Sequence, residues 1–101
     1  DLLPQRVIVV LGSFRSNDRG VIGLIRAIRA DDGTEIGSVS SDIDGAFTLI
    51  LPPNESYVIT GWSGSTGEVQ SRVDGKGTEQ GVFECVLNAA GEKGANGGEQ
   101  P

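Results

Sequence analysis

Histidine and methionine are absent from this chain of 101 residues, and cysteine occurs once, as Cys85. Histidine is the usual general base and the commonest metal ligand near neutral pH, so its absence removes the standard catalytic triads and most zinc and haem sites. A single cysteine excludes an internal disulfide. Aromatic residues are also scarce, at 5%, whereas glycine occurs 16 times. This composition favours short strands joined by tight turns over a helical bundle.

Long hydrophobic segments are missing as well. The longest uninterrupted apolar run, Val7–Leu11, is far shorter than the ~20 residues that a membrane-spanning helix requires, so we expect no membrane span. A net charge of −6 argues against nucleic acid as a partner. Residues 1–30 carry five arginines against two aspartates (+3), and residues 31–101 carry three basic against twelve acidic residues (−9). Such a split can steer like molecules head to tail, but a surface charge selected for solubility is the favoured explanation.

Short β-branched or apolar segments alternate with turns along the whole chain. The apolar residues within 21–30 are spaced as on one face of an amphipathic helix. The β-branched content of this segment and its glycines nevertheless favour a strand with a bulge near Gly23. Gly12 to Gly20 reads as a loop, and Asp42–Gly45 predicts the turn of a β-hairpin. The predicted strands are residues 5–11, 21–30, 35–41, 46–51, 56–62, 68–73 and 82–88. This spacing predicts an all-β protein, a seven-stranded Greek-key β-sandwich of prealbumin or immunoglobulin-like type.

Three turn motifs follow one another within residues 25–60: Asp-Asp-Gly-Thr, then Ser-Asp-Ile-Asp-Gly-Ala-Phe, then Leu-Pro-Pro-Asn-Glu-Ser-Tyr. Their order resembles the prealbumin-like sandwich domains, namely the carboxypeptidase regulatory-like domains and the B-type repeats of surface proteins. Those domains have glycine after the prolines, where this chain has Asn54, a residue that tolerates the left-handed conformation. The resemblance implies an extracytoplasmic accessory, stalk or adhesive module. Its enzymatic branch, the hydroxyisourate hydrolases, relies on histidines and a C-terminal Tyr-Arg-Gly-Ser motif, which this chain lacks, so we expect no enzyme.

The chain divides into three predicted segments. Residues 1–12 form an N-terminal strand that could be donated to a neighbour, residues 13–88 form the sandwich core, and residues 89–101 form a glycine-rich tail too polar to bury. The chain begins at Asp1 without a methionine or a signal-peptide pattern. We therefore expect a processed, secreted or cell-surface protein, or a domain excised from a longer one.

The residues with potential chemistry have a structural interpretation. Asp42 and Asp44 resemble the opening of a calcium loop, but Ala46 and Pro53 occupy positions where an EF-hand needs ligands. Turn formation is therefore the expected role of both aspartates, with no metal and no cofactor. Cys85 shares a strand face with apolar neighbours and is expected in the core, with an intermolecular disulfide as the alternative.

The N-terminal strand is the most informative candidate for an interaction. It contains Val7, Val9 and Leu11 and is apolar on both faces, so we expect it to be covered on both sides. A chain-end strand of this kind either pairs within its own sheet or adds to a neighbour's sheet. The leading hypothesis is a non-catalytic extracellular structural or adhesive protein, most sharply a pilus-like filament subunit that self-associates by β-strand exchange.

The alternative hypothesis is a ligand-binding module. In it, Trp62 and Tyr57 contact a glycan or a peptide, and the chain is an accessory domain of a larger secreted hydrolase or outer-membrane transporter. Trp62 could instead cap the open end of the sandwich, which is a purely structural role.

Overall fold

The computed structural model describes residues 6–89, and this part of the chain is built from β-strands. Within that range there is no helix with the length and apolarity needed to cross a membrane. Residues 1–5 of the predicted N-terminal strand and residues 90–101 of the predicted tail lie outside the described range. The strands are β1 (Ile8–Ser16), β2 (Arg19–Gly20), β3 (Leu24–Arg29), β4 (Glu35–Ser40), β5 (Ala46–Leu51), β6 (Ser56–Ser63), β7 (Gly67–Asp74) and β8 (Gly81–Ala89).

The strands form two four-stranded sheets, here named sheet A and sheet B. In sheet A, β8 pairs in parallel with β1 along Ile8–Ser16. The opposite edge of β1 pairs antiparallel with β5 and then with the two-residue β2. Sheet B is antiparallel, in the order β4-β3-β6-β7. The all-β, two-sheet architecture predicted from the sequence is therefore confirmed, with β2 as an additional short strand.

The inward faces of the two sheets form one core. Residues alternate between buried and outward positions along β1, β5 and β8, as the pleat of a half-buried sheet requires. The largest fully buried side chains come from both sheets and are Tyr57, Phe14, Ile8, Ile25, Leu51, Ile59, Leu87 and Val10.

The predicted loop over residues 12–20 is wrong, because β1 continues to Ser16 and then turns directly into β2. Asn17 and Asp18 occupy the turn with φ of 52° and 65°. Positive φ at both central residues suits a two-residue hairpin turn, and Asn and Asp tolerate it better than most residues do. Gly12 does not end the strand. It pairs with Phe47, and a Cβ at this glycine would overlap the Phe47 ring.

The predicted hairpin between β4 and β5 is also wrong. β4 pairs with β3 in sheet B, whereas β5 pairs with β1 in sheet A, so the Asp42–Gly45 turn crosses between the sheets. The Phe14 amide donates to the Gly45 carbonyl at 2.7 Å, and the Ser41 hydroxyl donates to the Val21 carbonyl at 2.6 Å. These long-range bonds hold both ends of the turn where it leaves one sheet and enters the other.

Residues 21–30 contain a strand, as the sequence predicts, but its irregularity lies elsewhere. The register between β3 and β4 shifts between Ala27 and Ile28 rather than near Gly23. Gly23 instead allows close packing, since a Cβ there would overlap the Trp62 carbonyl oxygen.

Gly45 provides a test of the turn between the sheets. Its φ is 81°, and a Cβ there would overlap the Phe14 carbonyl oxygen. We expect Gly45→Ala to lower the free energy of unfolding by about 2–3 kcal/mol, from backbone strain and steric displacement together. Gly33 has a similar φ of 75°, but a Cβ at Gly33 would project into open space. Gly33→Ala should therefore lower the free energy of unfolding, measured by urea denaturation of both variants, by only about 1 kcal/mol. Equal losses in the two variants would contradict the steric part of this account.

Candidate interaction surface

The outward face of sheet A, here called the outer A face, combines side chains from three strands. Its register forms three rows across β5, β1 and β8. The rows are Ile50–Val9–Val82, Thr48–Leu11–Glu84 and Ala46–Ser13–Val86. Because Ile8 and Val10 point into the core, Val9 and Leu11, which alternate with them along the strand, point outward.

The outer A face is largely apolar and open to solvent. The exposed fractions are 45% for Leu11, 67% for Ile50, 65% for Val82 and 60% for Val86. Small residues leave a shallow groove of about 300 Å³ beside Leu11, with Ser13 and Ala46 in its lining. The expectation that β1 is covered on both sides is therefore wrong for the single chain, because only its inner face is covered.

Val7 and Tyr57, the other apolar candidates, are not members of these three rows. Val7 is half-buried just before β1, where its carbonyl accepts a bond from the Gly81 amide at 3.4 Å. Tyr57 is fully buried, and its hydroxyl donates to the Pro52 carbonyl at 2.6 Å. Burial raises the pKa of this phenol. Tyr57 is a core residue and is not available to a partner at the surface.

Trp62 lies on the outward face of sheet B and is 49% exposed. It pairs with Leu24 of β3 on one side and with Glu68 of β7 on the other. The next row of the sheet places Arg26 and Gln70 on either side of Thr60. The indole is thus a half-exposed aromatic group with charged and amide side chains close by on the same face.

The two aspartates proposed as weak calcium ligands lie in the turn between the sheets. Asp42 Oδ1 accepts hydrogen bonds from the backbone amides of Asp44 and Ala46, both at 2.9 Å. This is an Asx-type turn, in which the carboxylate replaces a backbone acceptor. In the described range 6–89, no three His, Cys, Asp or Glu side chains come together in a way that could hold a metal ion.

Cys85 projects from β8 into the core and is only 4% exposed. Burial raises the pKa of its thiol. Since the thiolate is the reactive form, this cysteine is a weak nucleophile and is poorly placed for a disulfide with another molecule.

Two clusters of polar side chains hold the turns at one end of the sandwich. Arg29 forms ion pairs with Asp32, at 3.2 Å, and with Glu55. Asp74 Oδ1 accepts from the Ser56 hydroxyl at 2.7 Å and from the Lys76 amide at 3.2 Å. These contacts tie the turn residues to the ends of β3, β6 and β7.

Comparison with known proteins gives information on the fold only. No protein-family model matches the sequence, and no curated protein is similar to it. Among solved structures, the chain is similar to part of a 9R-lipoxygenase from Cyanothece PCC8801, with a TM-score of 0.50 and 13% sequence identity. The match covers 82% of this chain but only 16% of the lipoxygenase chain. At this identity the likeness extends to the arrangement of strands and carries no activity.

Asp74 makes the acid stability of the sandwich testable. The Ser56 hydroxyl bond, followed by the Lys76 amide bond, lowers the pKa of Asp74 in the folded state. The resulting stabilisation is complete above the unfolded pKa, about 3.9, and is lost as pH falls through the lower folded pKa. We expect Asp74→Asn to lower Tm at neutral pH and to reduce the further loss of Tm between about pH 4 and pH 2.

The matched control is Asp44→Asn, because the Asp44 carboxylate accepts no hydrogen bond within the described part of the chain. Differential scanning fluorimetry across this pH range compares the two variants with the parent. A Tm profile of Asp74→Asn parallel to that of the parent would contradict the assignment.

Proposed function

We propose that this chain is a non-catalytic structural or adhesive β-sandwich module that works at the cell surface or outside the cell and self-associates. The single observation that carries the proposal is the exposed apolar face of sheet A, centred on β1. Exposed apolar surface of this kind marks interaction sites in folded proteins. The groups that could support chemistry have local roles: the Asp42 carboxylate completes a turn, and the Cys85 thiol is buried.

The finer assignment, a seven-stranded Greek-key sandwich of the prealbumin-like type, belongs to the same proposal. It is supported by seven longer strands with only the two-residue β2 in addition. Asn54 has a φ of 63° at the place where the resembled domains have glycine. Tyr57, near the start of β6, bonds back to the backbone five residues upstream, an arrangement typical of corners in Greek-key sandwiches.

Assembly by strand exchange is the sharpest form of the proposal. β1 lies at the centre of sheet A, with backbone bonds to β8 on one side and to β5 on the other. The β1 strand of a neighbouring copy could make the same bonds to β5 and β8, so both of those pairings would be preserved. Exchange requires the Asn17-Asp18 turn and the β1–β2 pairing to open, which makes residues 17–23 the hinge.

Peptide complementation tests strand exchange. We expect a chain that begins at Asn17 to be unfolded alone and to regain β-structure when a peptide of residues 1–16 is added. The peptide would supply Ile8, Val10 and Phe14 to the core. The control is the same peptide with Val10→Asp, which places an unpaired charge in the core and should not complement. Circular dichroism and isothermal titration calorimetry measure the recovery.

The full-length protein should show the corresponding assembly. We expect dimers or longer chains by size-exclusion chromatography and negative-stain microscopy after slow refolding at high concentration, when exchange competes with closure. Failure of the peptide to complement, together with a full-length protein that never exchanges, would reject strand exchange.

Glycan binding is the second candidate function, and the position of Trp62 favours it. A half-exposed indole on a sheet face, with amide and charged groups in the adjoining row, suits stacking against a sugar ring. We expect glycan-array binding that Trp62→Ala reduces at least about tenfold, as loss of an aromatic hot spot does. Leu11→Ala, on the opposite sheet, is the control. Binding that is unchanged by Trp62→Ala would remove this candidate.

A further inference from the structure

We infer that the outer A face docks against the same face of a second copy of this chain, about a two-fold axis that runs along β1. This inference deepens the proposed self-association and therefore rests on it, but it names a different contact from strand exchange. Exchange uses the backbone edges of β1 and its inward side chains. Face-to-face docking uses its outward side chains.

Large exposed apolar side chains are more numerous on this face than on the outward face of sheet B, where Leu24 and Trp62 are the examples among the described residues. A sheet with one solvated side normally alternates apolar inward with polar outward residues. Sheet B follows that rule over much of its outward surface, where Arg26, Gln70 and Arg72 lie. Sheet A departs from it with four large exposed apolar side chains on three adjacent strands, namely Leu11, Ile50, Val82 and Val86.

The rows of the outer A face are self-complementary. A two-fold axis along β1 places β5 of one copy opposite β8 of the other. Each row therefore faces the same row of the second copy, read in the opposite direction. Ile50 faces Val82 of the second copy in the first row. In the third row, Ala46 faces Val86, whose side chain would enter the shallow groove that Ala46 and Ser13 line. Leu11 lies on the axis and meets its own counterpart.

The charge on this face selects the orientation. Glu84 is exposed in the middle row, directly across β1 from Thr48. The axis along β1 places the Glu84 carboxylate opposite the Thr48 hydroxyl of the second copy, which can donate a hydrogen bond to it. A two-fold axis that passes by Leu11 in the plane between the two faces, but at right angles to the strands, would place the two Glu84 carboxylates against each other. Their like charges would repel. Of these two arrangements, the one with its axis along β1 is thus favoured.

A second copy fits this surface better than a lipid membrane does. The net charge of the chain is −6, and the Glu84 carboxylate lies on the face itself, so an anionic membrane surface would repel it. An apolar three-stranded face instead suits aligned packing against another sheet, in which side chains of the two faces interdigitate.

Sedimentation equilibrium of the full-length protein tests this interface. We expect a reversible dimer whose Kd rises at least about tenfold in Leu11→Arg, since a charge would be buried on the axis. The matched control is Leu24→Arg, because Leu24 is the same residue type with a similar exposure, 41% against 45%, on the opposite sheet. Ile50→Lys, at an edge strand and 67% exposed, supplies a second interface variant should Leu11→Arg disturb folding.

A crosslink tests the axis itself. We expect a short bis-maleimide reagent to link Leu11→Cys to its own copy, because a residue on a two-fold axis meets its counterpart across sheets about 10 Å apart, whereas Leu24→Cys gives no crosslinked dimer. The buried Cys85 does not compete.

Face docking and strand exchange can be told apart because residue 11 points outward in both the closed and the exchanged forms. If Leu11→Arg loses the dimer while its 1–16 peptide still complements the shortened chain, the face contact alone has been disrupted. A protein that stays monomeric to millimolar concentration, equal dimerisation of the two Arg variants, or binding of neutral lipid vesicles by a monomer through this face would overturn the inference.

Discussion

The pairing of β1 on both of its edges is the constraint on which sheet A depends. β5 and β8 both bond to β1, at opposite edges, so the sheet exists only because this strand lies between them. The same nine residues supply Ile8, Val10 and Phe14 to the core on one face and Val9 and Leu11 to the surface on the other. Backbone pairing, core packing and surface character therefore meet in a single strand.

Local pattern predicts the strands of this protein well and their partners poorly. Phe47, Leu49 and Leu51 alternate with outward residues, and this period of two predicts β5 correctly. The same local signal makes Asp42–Gly45 look like a hairpin turn, yet β5 pairs with β1 instead. The choice is made by contacts distant in sequence, among them the bond from Phe14 to Gly45. Gly12 likewise suggests the start of a loop, although it lies within β1. The Phe47 ring that packs over Gly12 is 35 residues further along the chain, so local sequence does not show it.

Only part of the candidate surface could be predicted from the sequence. Val9 and Leu11 stand out because they lie in a continuous apolar run, but Ile50, Val82 and Val86 each look like ordinary strand residues. They come together only because β1 pairs with β5 on one edge and with β8 on the other. For Tyr57 and Trp62, the alternation of side chains between the two faces of a strand predicts which of them is buried. Tyr57 and Trp62 are five positions apart in β6, so they lie on opposite faces, and the buried Ile59 assigns Tyr57 to the core.

The two modes of association proposed for this chain are compatible because a strand presents its edges and its faces separately. An exchanged β1 would keep its bonds to β5 and β8 and would still direct Val9 and Leu11 outward. The outer A face is then the same surface whether its central strand comes from the same chain or from a neighbour. Exchange joins copies through a hinge that must open slowly, whereas face docking needs no rearrangement and depends only on concentration. A chain with both contacts would have a fast reversible contact and a slow persistent one, and β1 would take part in both.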